Sequence, residues 1–185
     1  RLGLVGSEMC IRDRSNISMK HLILIRHGQS EWNQQKRFTG WVDVGLTDKG
    51  RAEAKKAGEL IKEKKIKLDS FYSSYQKRAN DTLKIVMKEL NEDENLITKK
   101  WQLNERHYGE LTGLNKEDMK KKYGEEKIHQ FRRSWDVKPG ALDRKSPYHP
   151  LNIETYKDIP VSDIPDTESL NCLLYTSDAA DESVR

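Results

Sequence analysis

The sequence predicts an α/β fold, a three-layer sandwich in which a mostly parallel sheet is flanked by helices. Three observations point there. Leu22-Ile23-Leu24-Ile25 is an unbroken aliphatic run with two β-branched residues, the pattern of a strand buried on both faces and therefore of a central parallel strand. Two further short apolar runs, Leu68 to Tyr72 and Leu96 to Trp101, alternate with segments of helical period, which is how strands joined by crossover helices read. The first and third runs pass straight into polar clusters, and the second does so after two serines. In open α/β sheets, ligands bind beyond the carboxyl ends of the strands.

Taken in order, the first run ends at Arg26-His27-Gly28, and Ser30 to Arg37 begins a short helix. Phe38 to Leu46 is a loop carrying Thr39, Gly40 and Trp41. Thr47 suits an N-cap, and Asp48 in the first turn complements the helix dipole, so a sheet-covering helix is expected over Asp48 to Lys64. Its apolar side would be Ala52, Leu60 and Ile61. The strand Leu68 to Tyr72 is closed by Ser73 and Ser74, and a helix from Lys77 to about Leu90 follows through Leu83, Ile85, Val86 and Met87. Asn91 to Asn95 is a polar turn before the third strand. Asn115 can cap a helix over Lys116 to Tyr123, and another runs from Glu125 to about Trp135. From Asp136 to Thr167 the chain is rich in proline and aspartate without periodicity, which predicts a long surface excursion of the kind that serves as a lid.

A length of 185 residues has room for one domain. Hydrophobic and charged residues each make up 35%, which is polar for a globular domain, yet the alternating helices and strands argue against disorder. The net charge of +4 suits a small anionic substrate. The lysines at Lys62 to Lys67 and Lys120 to Lys122 read as solvated helix faces, so no nucleic acid partner is expected. No apolar run approaches the ~20 residues of a membrane span and no secretory signal is recognisable, so no membrane association is expected and the expected compartment is the cytoplasm.

Both ends read as foreign to the domain. Met9-Cys10-Ile11-Arg12-Asp13 can be encoded by ATGTGTATAAGAGAC, whose reverse complement, read after a preceding T, gives Cys-Leu-Leu-Tyr-Thr, the residues Cys172 to Thr176. Inverted copies of this kind resemble translated transposon-adapter sequence. Residues 1–14 and 172–185 are therefore expected to be adapter-derived, residues 15–171 to be a partial catalytic domain, and Met19 to be the initiator. Cys10 and Cys172, the two cysteines, lie in these ends, so no disulfide framework is expected.

The chemistry is concentrated after the strands. Phosphoryl transfer is mostly positioning and charge stabilisation, and it needs a nucleophile, cations and a proton relay. His27 offers a ring nitrogen that is nucleophilic near neutral pH, Arg26 and Arg78 offer bidentate phosphate contacts, and Glu105 offers a general acid and base for a substrate hydroxyl. Arg132 and Arg133 are adjacent and diverge by ~100° on a helix, so both reach one ligand only near a helix end. On these residues alone, an Arg-His-Gly that merely turns the chain, and arginines that merely face solvent, remain open.

The wider motifs narrow the choice. Arg-His-Gly-Gln-Ser-Glu-Trp-Asn at 26–33, with Arg37-Phe38-Thr39-Gly40-Trp41 and Leu46-Thr47-Asp48-Lys49-Gly50, closely resembles the cofactor-dependent phosphoglycerate mutases of the histidine phosphatase superfamily. The resemblance spans roughly Met19 to Leu170. It implies a phosphoglycerate mutase-like fold and the interconversion of 3-phosphoglycerate and 2-phosphoglycerate, a step of glycolysis and gluconeogenesis, through a phosphohistidine primed by 2,3-bisphosphoglycerate, with no metal. It further implies that His27 carries the phosphoryl group and that Glu105 is the proton donor and acceptor. Arg26, His27, Gly28, Gln29, Ser30, Glu31, Trp32 and Asn33, with Thr39 and Gly40, would line the phosphate and substrate site. Arg78, Arg106, His107, Tyr108, Lys116, Arg132 and Arg133 would match ligand contacts. Members of that family are often dimers or tetramers, so a homo-oligomer of the intact protein is an expectation too.

Two departures qualify the resemblance. Asp81 stands where many members have a basic residue. The family's distal Ala-His-Gly-Asn segment, with its second active-site histidine, has no counterpart in this sequence. His21, His129 and His149 lie in no such context and read as ordinary surface or partly buried histidines. The C-terminal part of the fold is therefore expected to be missing, and the chain as written to be poorly stable and weakly active or inactive. Two alternatives to the mutase stand beside it: a histidine phosphatase hydrolysing phosphate esters, and an inert anion-binding fragment.

Overall fold

The structure is a computed structural model and describes residues 21–175. Residues 1–14, the Met19 start and the stretch 176–185 lie outside the described residues. The fold is α/β. Strands β1 (Phe71–Ser73) and β2 (Ile97–Lys99) pair in parallel, with Phe71 opposite Ile97 and Ser73 opposite Lys99. Around them lie α1 (Glu31–Gln34), α2 (Asp48–Glu63), α3 (Lys77–Leu90), α4 (Lys116–Tyr123) and α5 (Glu125–Arg133), with a helical turn over 170–175. Among the described residues no helix is long and apolar enough to cross a membrane.

Most helix starts follow their expected chemistry. Ser30 and Asn33 form a reciprocal capping box on α1, the Thr47 hydroxyl accepts the Gly50 N–H on α2, and Asn115 accepts the Glu117 N–H on α4. Helix α3 ends at Asn91, whose φ of 59° is left-handed. Helices α2 and α3 pack closely through Gly58, where a Cβ would lie 2.8 Å from the Cβ of Glu89.

Several expectations are corrected. Residues Leu22 to Ile25 do not form a strand and are largely exposed, Leu22 at 83% and Leu24 at 85%. They face β1 and α3 across a cavity of about 660 Å³ lined by Ile23, Phe71, Ala79 and Leu83. An aliphatic run becomes a strand only where a neighbouring edge takes up its backbone hydrogen bonds, and here a gap stands between it and β1. The second and third strands are shorter than expected, and α5 stops at Arg133 instead of Trp135. On α2 the inward residues are Gly50, Ala54, Gly58 and Ile61, while Ala52 and Leu60 are exposed.

The stretch from Asp136 to Thr167 holds only the short 3-10 turns Pro150–Asn152, Glu154–Tyr156 and Val161–Asp163 and is mostly exposed, as a surface excursion would be, yet parts of it enter the core. Tyr156, Ile159 and Ile164 are buried against Trp41, and the Tyr156 hydroxyl donates to the Trp41 carbonyl at 2.6 Å. His149 is fully buried, with Nε2 2.9 Å from Asp166, so it is not a surface histidine; His21 and His129 are exposed. Aromatic and aliphatic side chains spaced without period had hidden this packing, because irregular segments bury residues in no fixed register. A second core joins Phe38, Leu111, Ile128 and Phe131, linking the loop after α1 to α5.

Candidate active site

The site is built from four chain segments that meet at His27. Gly28, beside it, is buried where a Cβ would lie 2.1 Å from the Gly50 carbonyl, so only glycine lets this segment rest against the start of α2. The Gly28 N–H donates to the Thr82 hydroxyl at 3.1 Å, and that hydroxyl donates to the Arg78 carbonyl one helical turn back. The His27 ring is thereby set beside the first turn of α3.

Its tautomer follows from its neighbours. Nδ1 lies 2.7 Å from the Gly28 carbonyl, which can only accept, so Nδ1 carries the proton and Nε2 keeps its lone pair. Arg78 Nε donates to that Nε2 at 3.3 Å. Burial lowers the His27 pKa below 6.5; the bond to Gly28 raises it, Arg78 lowers it further, and the balance is downward. The ring is therefore neutral at neutral pH, and its Nε2 lone pair accepts from Arg78, a bond that must be given up before Nε2 can meet a phosphorus atom.

Arg78 is fully buried and satisfied on three further sides. Nη1 donates to the Val42 carbonyl at 2.9 Å, and Nη2 to the Gly40 carbonyl at 2.8 Å and to Glu105 Oε2 at 2.8 Å. Gly40 takes a φ of +56°, which turns its carbonyl to the guanidinium without a side-chain penalty. The Glu105 side chain is 35% exposed, so one face of the ion pair is open to a ligand.

A rim of cations surrounds this centre. Arg26 is exposed, and Lys116 and Arg132 are half-buried. Burial lowers the Lys116 pKa, and Arg132 lowers it next, the mark of cations crowded together; Glu105 partly offsets them. Arg106 is buried, donates to the Phe131 carbonyl at 2.7 Å and lies 5.0 Å over the Tyr108 ring. Burial raises the Tyr108 pKa, so its phenol keeps its proton. The Thr39 hydroxyl is buried with no hydrogen-bond partner among the described residues. Arg133 is exposed at the end of α5.

The rest of the expected set makes contacts of its own within the protein. Gln29 meets Thr47 and Glu53, Ser30 and Asn33 cap α1, Glu31 is exposed, and Trp32 lies under the Arg37 guanidinium at 4.1 Å. The His107 ring is fully buried, 6.1 Å from that of His149. Its Nδ1 accepts the Gly109 N–H, and burial followed by His149 pulls its pKa to about 4. Sequence reasoning did not single out Thr82, Gln76, whose side chain accepts the Glu105 N–H, or Glu168, whose carboxylate accepts the His107 N–H. Thr82 could have been found as the residue four after Arg78 on the same helix face; the other two sit in no recognisable motif. Among the described residues no group of three or more His, Cys, Asp or Glu is placed to hold a metal ion.

Comparison with known proteins follows the same lines. The chain is 67% identical over 152 residues to a 2,3-bisphosphoglycerate-dependent phosphoglycerate mutase of Pelagibacter ubique, covering 82% of this chain and 63% of that protein. It is 49% identical, over 82% of its length and 61% of the relative's, to a protein of the same name from Bacteroides fragilis. The chain thus spans under two thirds of the length of these relatives. In fold it is similar to a putative alpha-ribazole-5'-P phosphatase of Escherichia coli K-12, with a TM-score of 0.59 at 16% identity, over 86% of this chain and 64% of that one. The family model of the histidine phosphatase superfamily, branch 1, matches residues 22–149. That match runs through His27, Arg78 and Glu105, and the chain belongs to this superfamily.

Proposed function

We propose that this chain carries the phosphoryl-accepting centre of a 2,3-bisphosphoglycerate-dependent phosphoglycerate mutase, acting on 3- and 2-phosphoglycerate in glycolysis and gluconeogenesis. The single observation that carries the reading is the His27 Nε2 lone pair, fixed by the Nδ1 bond to Gly28 and facing an Arg78 that is itself paired with Glu105. Such a nitrogen can accept a phosphoryl group, while Arg78 neutralises charge growing on the phosphoryl oxygens. From the loaded histidine, the Glu105 carboxylate takes the proton of the substrate hydroxyl that attacks the phosphorus, and returns it to the oxygen that departs when His27 is loaded again. Proton and phosphoryl group thus return together, and the ester is moved without net hydrolysis.

The donor set fits a bisphosphorylated primer. Arg26 acts on both His27 and Lys116, Arg132 acts on Lys116 too, and an anion relieves the repulsion that Lys116 experiences there. 2,3-bisphosphoglycerate supplies the phosphoryl group that loads His27. Arg26 through Asn33, Thr39, Gly40, Arg106, His107, Tyr108 and Arg133 complete the proposed ligand-binding set. We place the protein in the cytoplasm, as a homo-oligomer when intact, and without metal, nucleic acid or membrane in its action.

The sequence holds no Ala-His-Gly-Asn segment. Residues 1–14 and 172–185 are proposed as adapter-derived, and the 185-residue chain as an incomplete, weakly active or inactive piece of the enzyme. The test is to assay the product of the intact gene with 3-phosphoglycerate, with and without 2,3-bisphosphoglycerate, beside this chain. Primer-dependent 2-phosphoglycerate from the intact product alone supports the reading. Free phosphate as the main product would make the protein a phosphatase.

A further inference from the structure

Gln76 stands immediately before α3 and is buried, 2% exposed, with no part in the chemistry described above. Its amide bridges two segments that reach the site from opposite directions. Nε2 donates to the Gly40 carbonyl at 2.9 Å, and Oε1 accepts the Glu105 N–H at 3.3 Å. The orientation of the amide is fixed by its partners, since a carbonyl can only accept and a backbone N–H can only donate. The Gly40 carbonyl is the same one that receives Arg78 Nη2, and Arg78 Nη2 in turn holds Glu105 Oε2. Gln76, Gly40, Arg78 and Glu105 therefore form a closed ring of hydrogen bonds, with Glu105 gripped at both its backbone and its carboxylate.

The remaining polar atoms of Gln76 are also engaged. Its N–H donates to the Ser74 hydroxyl, and its carbonyl accepts from Asn80 Nδ2 and from the backbone N–H groups of Ala79 and Asn80. The residue is thus anchored to the helix that carries Arg78, while its side chain reaches across to the two loops. A hydrocarbon of the same length would fill the space but leave the Glu105 N–H and one lone pair of the Gly40 carbonyl unanswered.

We infer that Gln76 is a positioning residue that sets the Glu105 carboxylate against Arg78 and His27 for proton transfer to the substrate oxygen. This rests on the mutase reading above. Gln76→Leu stays close in volume and removes both bonds, together with the contact of the Gln76 amide with the Tyr156 hydroxyl. Gln76→Glu keeps the shape and the acceptor towards Glu105 N–H but sets a carboxylate against the Gly40 carbonyl.

The test is made on the intact gene product, by amide hydrogen exchange and by steady-state kinetics. In Gln76→Leu the Glu105 amide exchanges roughly tenfold faster while Val86 and Met87 in α3 keep their protection. Under the same conditions kcat falls roughly ten- to hundredfold, with KM for 3-phosphoglycerate changed less than about twofold. Gln76→Glu lowers kcat likewise and serves as the measurement if the leucine variant does not fold. Unchanged exchange at Glu105, or kcat within about twofold of the parent in a folded variant, would overturn the inference. His27→Ala run in parallel separates the two failures: if it retains turnover, the mutase reading falls, and the exchange at Glu105 still decides whether Gln76 holds that segment.

Discussion

At the residue scale the protein holds two buried groups with opposite demands. Arg78 keeps its charge in the interior because four acceptors surround it, among them Glu105 and the His27 nitrogen. Lysine offers one point charge in place of a fork, so Arg78→Lys cannot replace these contacts. It should cost about 3 kcal/mol in urea unfolding and reduce phosphoryl transfer by more than tenfold; a variant within about 0.5 kcal/mol of the parent would contradict the geometry. His107 makes the opposite demand and must stay neutral. Its pKa is about 4 in the fold against 6.5 for the free side chain, so between those values the unfolded chain binds the proton and the folded one does not. Stability is therefore full above pH 6.5 and drains as the pH falls towards 4, by about 3 kcal/mol in all. His107→Gln should flatten that slope in denaturant titrations at pH 7 and pH 4.5. At this scale the sequence was most readable: the residue types of Arg26, His27, Arg78 and Glu105 are those that phosphoryl chemistry needs. Gln76 was not readable, because its role comes from two backbone groups distant in sequence, and backbone partners leave no mark on side-chain identity.

At the element scale the helices were legible because their signals are local. The Thr47 and Asn115 caps predicted the starts of α2 and α4, and both side chains make their capping bonds. Strand formation is not local. The run Leu22 to Ile25 has the composition of a central strand, yet a cavity separates it from β1. Burial in 136–167 was hidden for a related reason: Tyr156 and Ile164 are fixed by Trp41, more than a hundred residues earlier. The packing of α2 on α3 offers a direct test. Gly58→Ala gains helix propensity worth under ~1 kcal/mol but sets its Cβ 2.8 Å from the Glu89 Cβ. Overpacking should win, with a net loss of about 1 to 2 kcal/mol in thermal or urea unfolding. A stabilised variant would mean that the two helices separate more readily than their contact implies.

At the scale of the whole molecule the site and its support are unequally developed. His27, Arg78, Glu105 and the surrounding cations are assembled, while the segment leading into His27 leaves Leu22 and Leu24 in solvent beside an apolar cavity. Apolar surface of this kind binds hydrophobic dyes and promotes association. The 185-residue chain should therefore enhance the fluorescence of such a dye, and the double variant Leu22→Lys, Leu24→Lys should reduce that enhancement at least about twofold; an unchanged signal would place the exposed surface elsewhere. His27 is probed most directly by incubating the intact gene product with labelled 2,3-bisphosphoglycerate and locating the label by peptide mapping. The expected result is an acid-labile phosphoryl group on His27, absent in His27→Ala and discharged by 3-phosphoglycerate. Label on another residue, or none on a protein that still makes 2-phosphoglycerate, would contradict the account.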